Sequence, residues 1–296
     1  MIDDLAVRRR TVVRRVLDWY AVHARDLPWR RSEATPWQVV VSEFMLQQTP
    51  VERVRGPWQS WVERWPTPAA LADAPAGEAV RAWGRLGYPR RALRLHATAV
   101  AITERFGGEV PADREALLSL PGVGSYTAAA IASFAYGRRE VVLDTNVRRV
   151  LSRIDAGVGQ PAPTPTVAEI AAATAYVPIV PARAARWAVA AMELGALVCV
   201  ARTPRCDDCP VRDQCAWRAA GYPVVPGPPR RGQSWVGTDR QCRGALLAVL
   251  RSSDGPVSAD ELAAAWADAV QRDRALASLV VDGLVVPVGS HYALPG

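Results

Sequence analysis

Four of the five cysteines, Cys199, Cys206, Cys209 and Cys215, fall within seventeen residues at the spacing C-x6-C-x2-C-x5-C. Thiols this crowded make the segment a loop closed around whatever they hold, and the pattern does not resemble a disulfide framework. Four thiolates can hold a [4Fe–4S] cluster or a structural zinc. Zinc sites usually pair two C-x2-C knuckles and only one occurs here, yet the residues alone leave both metals open. Arg202, Arg205 and Arg212 stand inside the loop and suit contact with a phosphate backbone. The fifth cysteine, Cys242, lies apart and reads as a small buried hydrophobe.

Around this loop, residues 1–221 carry short amphipathic helical segments punctuated by Pro and Gly, such as 68–82, 90–106 and 113–120. Only 140–143 looks extended, and 156–167 reads as a loop. The Pro- and Gly-rich stretch 222–238 reads as an interdomain linker, separating a domain at 1–221 from one at 239–296. In the second domain a helix is expected over 243–251. Ser258 and Glu261 form a capping box that opens another helix, and 270–281 suits a third. Strands over 284–288 and 291–294 then flank Gly289-Ser290. The fold class expected is mainly α, ending in a small winged-helix-like domain. Residues 222–296 hold seven arginines and seven acids, so the surplus behind the net charge of +7 lies in 1–221 and suits a polyanionic partner there. The N-terminus, MIDDLAVRRR, has no apolar signal core, and no stretch approaches membrane-spanning length. The expectation is a cytoplasmic protein with no membrane partner.

Three motifs carry chemistry. In Val41–Pro50, VSEFMLQQTP, Glu43 shares a helix face with Val39, Val40, Leu46 and Gln47. A carboxyl beside an apolar face loses solvation, which favours its protonated form and suits a proton donor; the bland alternative pairs Glu43 with an arginine. Thr35-Pro36-Trp37-Gln38 and Thr49-Pro50-Val51-Glu52 both have the form of a capping box, so Gln48 should project from an interhelical turn. Residues 117–136, LLSLPGVGSYTAAAIASFAY, read as helix, glycine turn and helix. Gly122 and Gly124 allow close backbone approach, and amides at the second helix's start can bind a phosphate. Some twenty residues on, VVLDTNV starts another helix, with Asp144 an N-cap on the plainest reading.

LPGVGSYTAAAI followed by VVLDTNVRRV resembles the helix-hairpin-helix DNA glycosylase superfamily, and SEFMLQQTPVERV is similar to the adenine DNA glycosylases within it. The likeness covers roughly residues 5–221. It implies a two-lobed fold whose loop at 199–215 holds a [4Fe–4S] cluster on Cys199, Cys206, Cys209 and Cys215. It further implies binding to double-stranded DNA containing an adenine mispair, opposite 8-oxoguanine or guanine, and flipping of the adenine into a pocket; a monomer is expected because the sequence shows no coiled coil or obvious dimer helix. By this resemblance Glu43 protonates adenine N7 and Asp144 stabilises the cationic sugar, as paired carboxylates do in glycoside hydrolysis. Tyr126 and Asn146 orient these groups and the water. Gln48 wedges into the vacated stack and Tyr88 inserts near the opposing purine. Gly122, Gly124, Ser125, Leu46 and Thr49 contact DNA, while Trp29, Arg31, Leu46 and Met192 line the adenine pocket.

Three departures from the family pattern stand out. Thr145 sits where glycine is common, Val189 where a base-contacting amide or carboxylate is common, and the tail is too short for a Nudix-like domain. A thymine or uracil mismatch glycosylase is the nearest rival, although a pyrimidine offers no N7 for Glu43. A non-catalytic DNA-binding protein would need neither Glu43 nor Asp144. All 36 Lys and Arg residues are arginine. Strand-cutting relatives use a lysine amine to form a Schiff base, and Tyr126 occupies the matching hairpin position. Borohydride added to a reaction with substrate DNA is therefore expected to trap no side-chain adduct; efficient trapping through a side chain would contradict a monofunctional enzyme.

Overall fold

The computed structural model describes residues 2–224 and 235–296; positions 225–234 of the expected linker lie outside the described residues. The helices are α1 (Ile2–His23), α2 (Pro36–Leu46), α3 (Val51–Arg64), α4 (Pro68–Ala72), α5 (Ala76–Trp83), α6 (Arg90–Phe106), α7 (Arg114–Leu118), α8 (Ser125–Tyr136), α9 (Thr145–Leu151), α10 (Val167–Thr174), α11 (Pro181–Leu197), α12 (Ala216–Ala219), α13 (Asp239–Ser252), α14 (Ala259–Ala265) and α15 (Ala269–Val281). Three short strands complete the chain: β1 (Val257–Ser258), β2 (Val286–Val288) and β3 (His291–Ala293). The fold is mainly helical, as expected. It divides into two compact units, one of residues 1–39, 112–118 and 123–228, the other of 40–111, 119–122 and 229–296.

In the first unit, α1, α9 and α11 bury Val12, Val16, Val147, Val150, Leu151, Trp187, Ala191 and Leu194 in one core. Tyr176 stacks on Trp187 with ring centroids 5.8 Å apart. Glu193 on α11 is wholly buried in this unit. Its Oε1 accepts from Arg25 Nε at 2.7 Å and from the Arg25 backbone at 3.1 Å. Its Oε2 accepts from Arg25 Nη2 at 2.9 Å and Arg30 Nη1 at 2.8 Å. This triad anchors the 3-10 turn Pro28–Arg30, which buries Trp29.

In the second unit, Trp61 meets Trp65 and Trp83 edge-on at centroid distances of 4.7 and 5.7 Å. The C-terminal elements gather around Cys242, Leu246, Leu250, Leu262, Leu279 and Leu284, and Cys242 is buried there as expected. The antiparallel sheet has strand order β1-β3-β2, pairing Val257 with Tyr292 and Val286 with Ala293. With three helices this is a winged-helix arrangement. The two-residue strand β1 was not anticipated, being too short for any alternation to register.

Local signals mostly act as the sequence implies. Thr35 and Gln38 exchange reciprocal capping bonds at 2.9 and 3.3 Å, and Ser258 with Glu261 forms the expected capping box. The second proposed box does not form: Pro50 is the N-cap of α3, without a side-chain cap, because the Thr49 hydroxyl turns inward. The segment 68–82 is two helices, α4 and α5, parted around Pro75, and 140–143 takes no strand partner.

Burial alone would raise the Glu193 carboxyl, but hydrogen bonding from Arg25 and the Arg30 charge outweigh it and hold it down at about 2. A depressed carboxyl contributes stability above its ordinary range near 4.5 and loses it as pH falls towards 2. Glu193→Gln is expected to cost about 3–5 kcal/mol in urea unfolding at neutral pH, by leaving two guanidinium groups unneutralised. The gap from wild type should shrink as unfolding is measured at successively lower pH between those limits; a gap that stays constant would contradict this account.

Candidate active site

The first unit carries Asp144 as the N-cap of α9. Its Oδ1 accepts from the Val147 backbone N–H at 2.6 Å and its Oδ2 from Asn146 Nδ2 at 2.7 Å. The plain sequence reading of a capping acid is therefore right, and one carboxylate serves as both cap and candidate catalytic group. Asn146 is held in turn: its Oδ1 accepts from Arg149 Nη2 at 2.8 Å. Arg149 also donates to the carbonyls of Gly195 and Cys199, each at 2.7 Å. A line of hydrogen bonds thus runs from Asp144 to the backbone of the first cysteine. Gly195 makes this possible, since a Cβ there would lie 2.7 Å from Asn146 Cβ and 2.8 Å from its carbonyl oxygen.

Burial pushes the Asp144 carboxyl up from the ordinary aspartate range, while bonds from Val147 and Asn146 and the charge of Arg149 pull it partway back. A carboxylate kept short of solvent but firmly oriented gains most when a cation forms beside it. Tyr126 and Met192 pack on one apolar cluster of Ala129, Ala130, Val142 and Ala188 in the same unit. Trp29 is buried in its 3-10 turn. Arg31 is exposed and held by Asp26 through bonds of 2.9 and 2.6 Å.

The second unit carries Glu43, 5% exposed, beside Ser42, Phe44 and Met45, which are wholly buried on α2. After α2 ends at Leu46, Gln48 is exposed with φ +56°, and in a second turn Tyr88 is 59% exposed with φ +48°. Both are non-glycine residues in the left-handed region, a conformation that persists only where the surroundings impose it. Here a buried guanidinium ties the carbonyls that precede both residues. Arg91 Nη1 donates to the carbonyls of Phe44, Met45 and Gln47 at 2.8, 3.0 and 2.6 Å. Its Nη2 donates to Thr49 Oγ1 at 2.9 Å and to the Gly87 carbonyl at 3.0 Å. Burial lowers the Arg91 pKa to about 10, so the group remains cationic. Thr49 is accordingly internal, its side chain tied to Arg91 and the Leu86 carbonyl.

The glycine turn is equally tight. Gly122 has φ +76°, and a Cβ there would meet Arg94 Cβ at 2.9 Å and Phe44 Cε1 at 3.1 Å. Gly122, Gly124 and Ser125 are exposed, and Gly124 leaves the start of α8 without a side-chain cap.

All four clustered cysteines line one cavity, together with Val150, Leu194, Val198, Arg153 and Trp217. Burial pushes the Cys199 thiol up and the Cys209 thiol to about 12, and a bound metal centre draws such protons off. Arg153, 2% exposed, donates to Cys199 Sγ at 3.3 Å and to the carbonyls of Gly159 and Val200 at 2.9 Å, with Trp217 stacked 4.4 Å away. Helix α1 secures the loop from outside: Arg15 pairs with Asp213 at 2.5 Å and Arg8 donates to the Gln214 carbonyl at 2.6 Å. A thiol-lined cavity with guanidinium groups against its first cysteine fits an anionic iron–sulfur centre. Arg91, Arg149, Arg153, Glu193 and Gly195 were not foreseen, because nothing local distinguishes a buried arginine among so many.

Residues 41–174 match the HhH-GPD superfamily base excision DNA repair protein family, and residues 199–215 match the iron-sulfur binding domain of endonuclease III. The adenine DNA glycosylase of Mycobacterium tuberculosis strain H37Rv is 54% identical over 286 residues, 95% of this chain and 92% of that protein. The adenine DNA glycosylase of Mycolicibacterium smegmatis is 51% identical over 286 residues, 95% of each chain. A solved thermostable thymine-DNA glycosylase superposes with a TM-score of 0.66 at 27% identity, covering 72% of this chain and 97% of that one. With similarity of this extent running through the glycine turn, the Asp144 helix and the cysteine loop, the chain belongs to the adenine DNA glycosylases of the helix-hairpin-helix base-excision repair superfamily.

Proposed function

We propose that this protein removes adenine mispaired with 8-oxoguanine or guanine from double-stranded DNA. It hydrolyses the N-glycosidic bond without cutting the strand, and it acts as a cytoplasmic monomer. The observation that carries this reading is the Asp144 carboxylate, desolvated and oriented on both oxygens by Val147 and by an Asn146 that Arg149 fixes in place. A cap alone needs only the bond from Val147; the second oxygen, held by Asn146, supports a carboxylate oriented for chemistry as well. In keeping with a DNA enzyme of this kind, no helix among the described residues is long and apolar enough to cross a membrane.

Chemistry on a stacked base requires its extrusion, with Gln48 filling the gap and Tyr88 meeting the opposite strand. Amides at the start of α8, beside Gly122, Gly124 and Ser125, hold a phosphate. Leu46 contributes to this DNA-facing surface, whereas Thr49 acts through Arg91 on the turn that presents Gln48. Glu43 donates a proton to adenine N7, so adenine departs neutral as the bond to C1′ breaks. Asp144 stabilises the sugar cation, and a water oriented by Asn146 and Tyr126 adds to C1′ and passes its proton to the Glu43 carboxylate left by the first step, which restores the acid. Trp29, Arg31 and Met192 shape the adenine pocket. Cys199, Cys206, Cys209 and Cys215 would hold a [4Fe–4S] cluster, which when bound supplies the metal–sulfur links that close the loop. Glu43 favours a purine over a pyrimidine, because a pyrimidine has no N7 to receive its proton.

Single-turnover assays on duplexes carrying A opposite 8-oxoguanine, A opposite guanine, and T or U opposite guanine test the proposal. Adenine should be excised from the first two. Asp144→Asn and Glu43→Gln should each lower the rate about 10²–10⁴-fold. Excision of T or U alone would favour a mismatch glycosylase, and no excision by wild type would leave a binding protein.

Because burial raises Asp144, activity should fall on acidification at a pH above the ordinary aspartate range near 3.8; a decline confined to that range would contradict the site electrostatics. Arg149→Met should lower kcat roughly 10–100-fold with KM little changed and the visible cluster absorbance retained. A change in KM alone would show that Arg149 does not act through Asn146.

A further inference from the structure

The turn that presents Tyr88 is entered by α5 and left by α6, and the C-terminal elements grip both helices. At the start of α5, the Gly77 N–H donates to the Pro295 carbonyl at 2.6 Å and the Ala76 N–H to Gly296 O at 3.4 Å. Farther along, Arg251 Nε donates to the Val80 carbonyl at 2.9 Å and Arg81 donates to the Arg251 carbonyl, a reciprocal clasp between α5 and α13. At the start of α6, Arg90 pairs with Asp282 at 3.0 Å, and Asp282 is fixed from behind by Arg243 of α13 at 2.5 Å. Gly77 marks how closely the tail is seated, since a Cβ there would lie 2.4 Å from the Pro295 oxygen and 2.8 Å from Leu294 Cβ.

Between these anchors sits an exposed aromatic held at positive φ, which cannot hold itself there. Arg91, one residue past the Asp282 anchor, joins the Gly87 carbonyl to the Gln47 carbonyl and so links the Tyr88 turn to the Gln48 turn. Helix α6 supports the glycine turn as well, with Thr98 Oγ1 donating to the Pro121 carbonyl at 2.6 Å. The C-terminal module itself carries no charge surplus with which to hold DNA.

We propose that the C-terminal module is a brace. Through the Leu294–Gly296 tail, Arg251 and Asp282 it fixes the turn that presents Tyr88, and so sets how strictly the base opposite adenine is read. These are positioning residues that act through Tyr88 without touching DNA. The link to base discrimination rests on the role proposed above for Tyr88; the bracing of the turn does not.

Hydrogen exchange read by mass spectrometry, and the ratio of kcat/KM for A opposite 8-oxoguanine to A opposite guanine, test the two parts separately. Gly77→Ala displaces the tail while favouring the helix itself, and Asp282→Asn weakens the α6 anchor without altering packing. Should Gly77→Ala fail to fold, as judged by cluster absorbance and thermal unfolding, Asp282→Asn and Arg251→Met carry the test. Amides of residues 84–88 should exchange about five- to tenfold faster in these variants, with α1 and α11 unchanged. The ratio should fall towards that of Tyr88→Ala, and combining a brace variant with Tyr88→Ala should lower it no further. Unchanged exchange at 84–88 overturns the brace. Faster exchange with an unchanged ratio, while Tyr88→Ala lowers it, overturns the brace as a determinant of specificity. If Tyr88→Ala itself leaves the ratio unmoved, the reading of Tyr88 fails, and the exchange data still decide the brace.

Discussion

A guanidinium group taken out of water has five N–H donors and a charge it cannot lose, so a buried one draws acceptors around it, and here many of them are backbone carbonyls. Arg91 gathers four carbonyls and a hydroxyl from the two turns at Gln48 and Tyr88. Arg149 spans from Asn146 to Gly195 and Cys199. Arg153 holds the backbone of the cysteine loop at Val200 and Ala201 together with the Cys199 sulfur. The Arg91 knot ties two turns and the Arg153 knot the cysteine loop, while the Arg149 knot joins α9 to the end of α11. Lysine could not substitute, because one ammonium cannot reach acceptors spread over a planar fork. A chain whose only long basic side chain is arginine is well suited to this construction.

The knots also explain how strained or desolvated groups persist. A left-handed Gln48 or Tyr88, or an aspartate pushed towards protonation, is unfavourable in isolation and survives only when many contacts agree on it. Close helix packing supplies the remainder. At Gly195 the approach of α11 to Asn146 leaves no room for a methyl group, and at Gly77 the same is true of the C-terminal tail. In the first unit, the Glu193 triad shows the converse rule: a carboxylate can be wholly buried when two arginines meet it.

Much of this was legible along the chain. Capping residues marked the starts of α2 and α14, glycine placed the hairpin turn, and Asp144 read as the cap it is. The misreadings were equally physical. Thr49 has every local feature of an N-cap, yet its hydroxyl serves Arg91, because a buried cation outbids an amide that water can satisfy. Strand β1 is two residues long and exists only because β3 lies beside it.

The sequence by itself determined the helical class, the cysteine loop, the winged-helix order of the last elements and the candidate acids, because each depends on neighbours within a few residues or on motifs with fixed spacing. Only the tertiary structure decided which arginines are buried, which glycines are steric necessities and how the C-terminal elements grip α5 and α6. Those choices depend on residues far apart in the chain, such as Arg251 and Val80. They leave no periodicity in the sequence, since every arginine reads alike until the fold sets carbonyls around it.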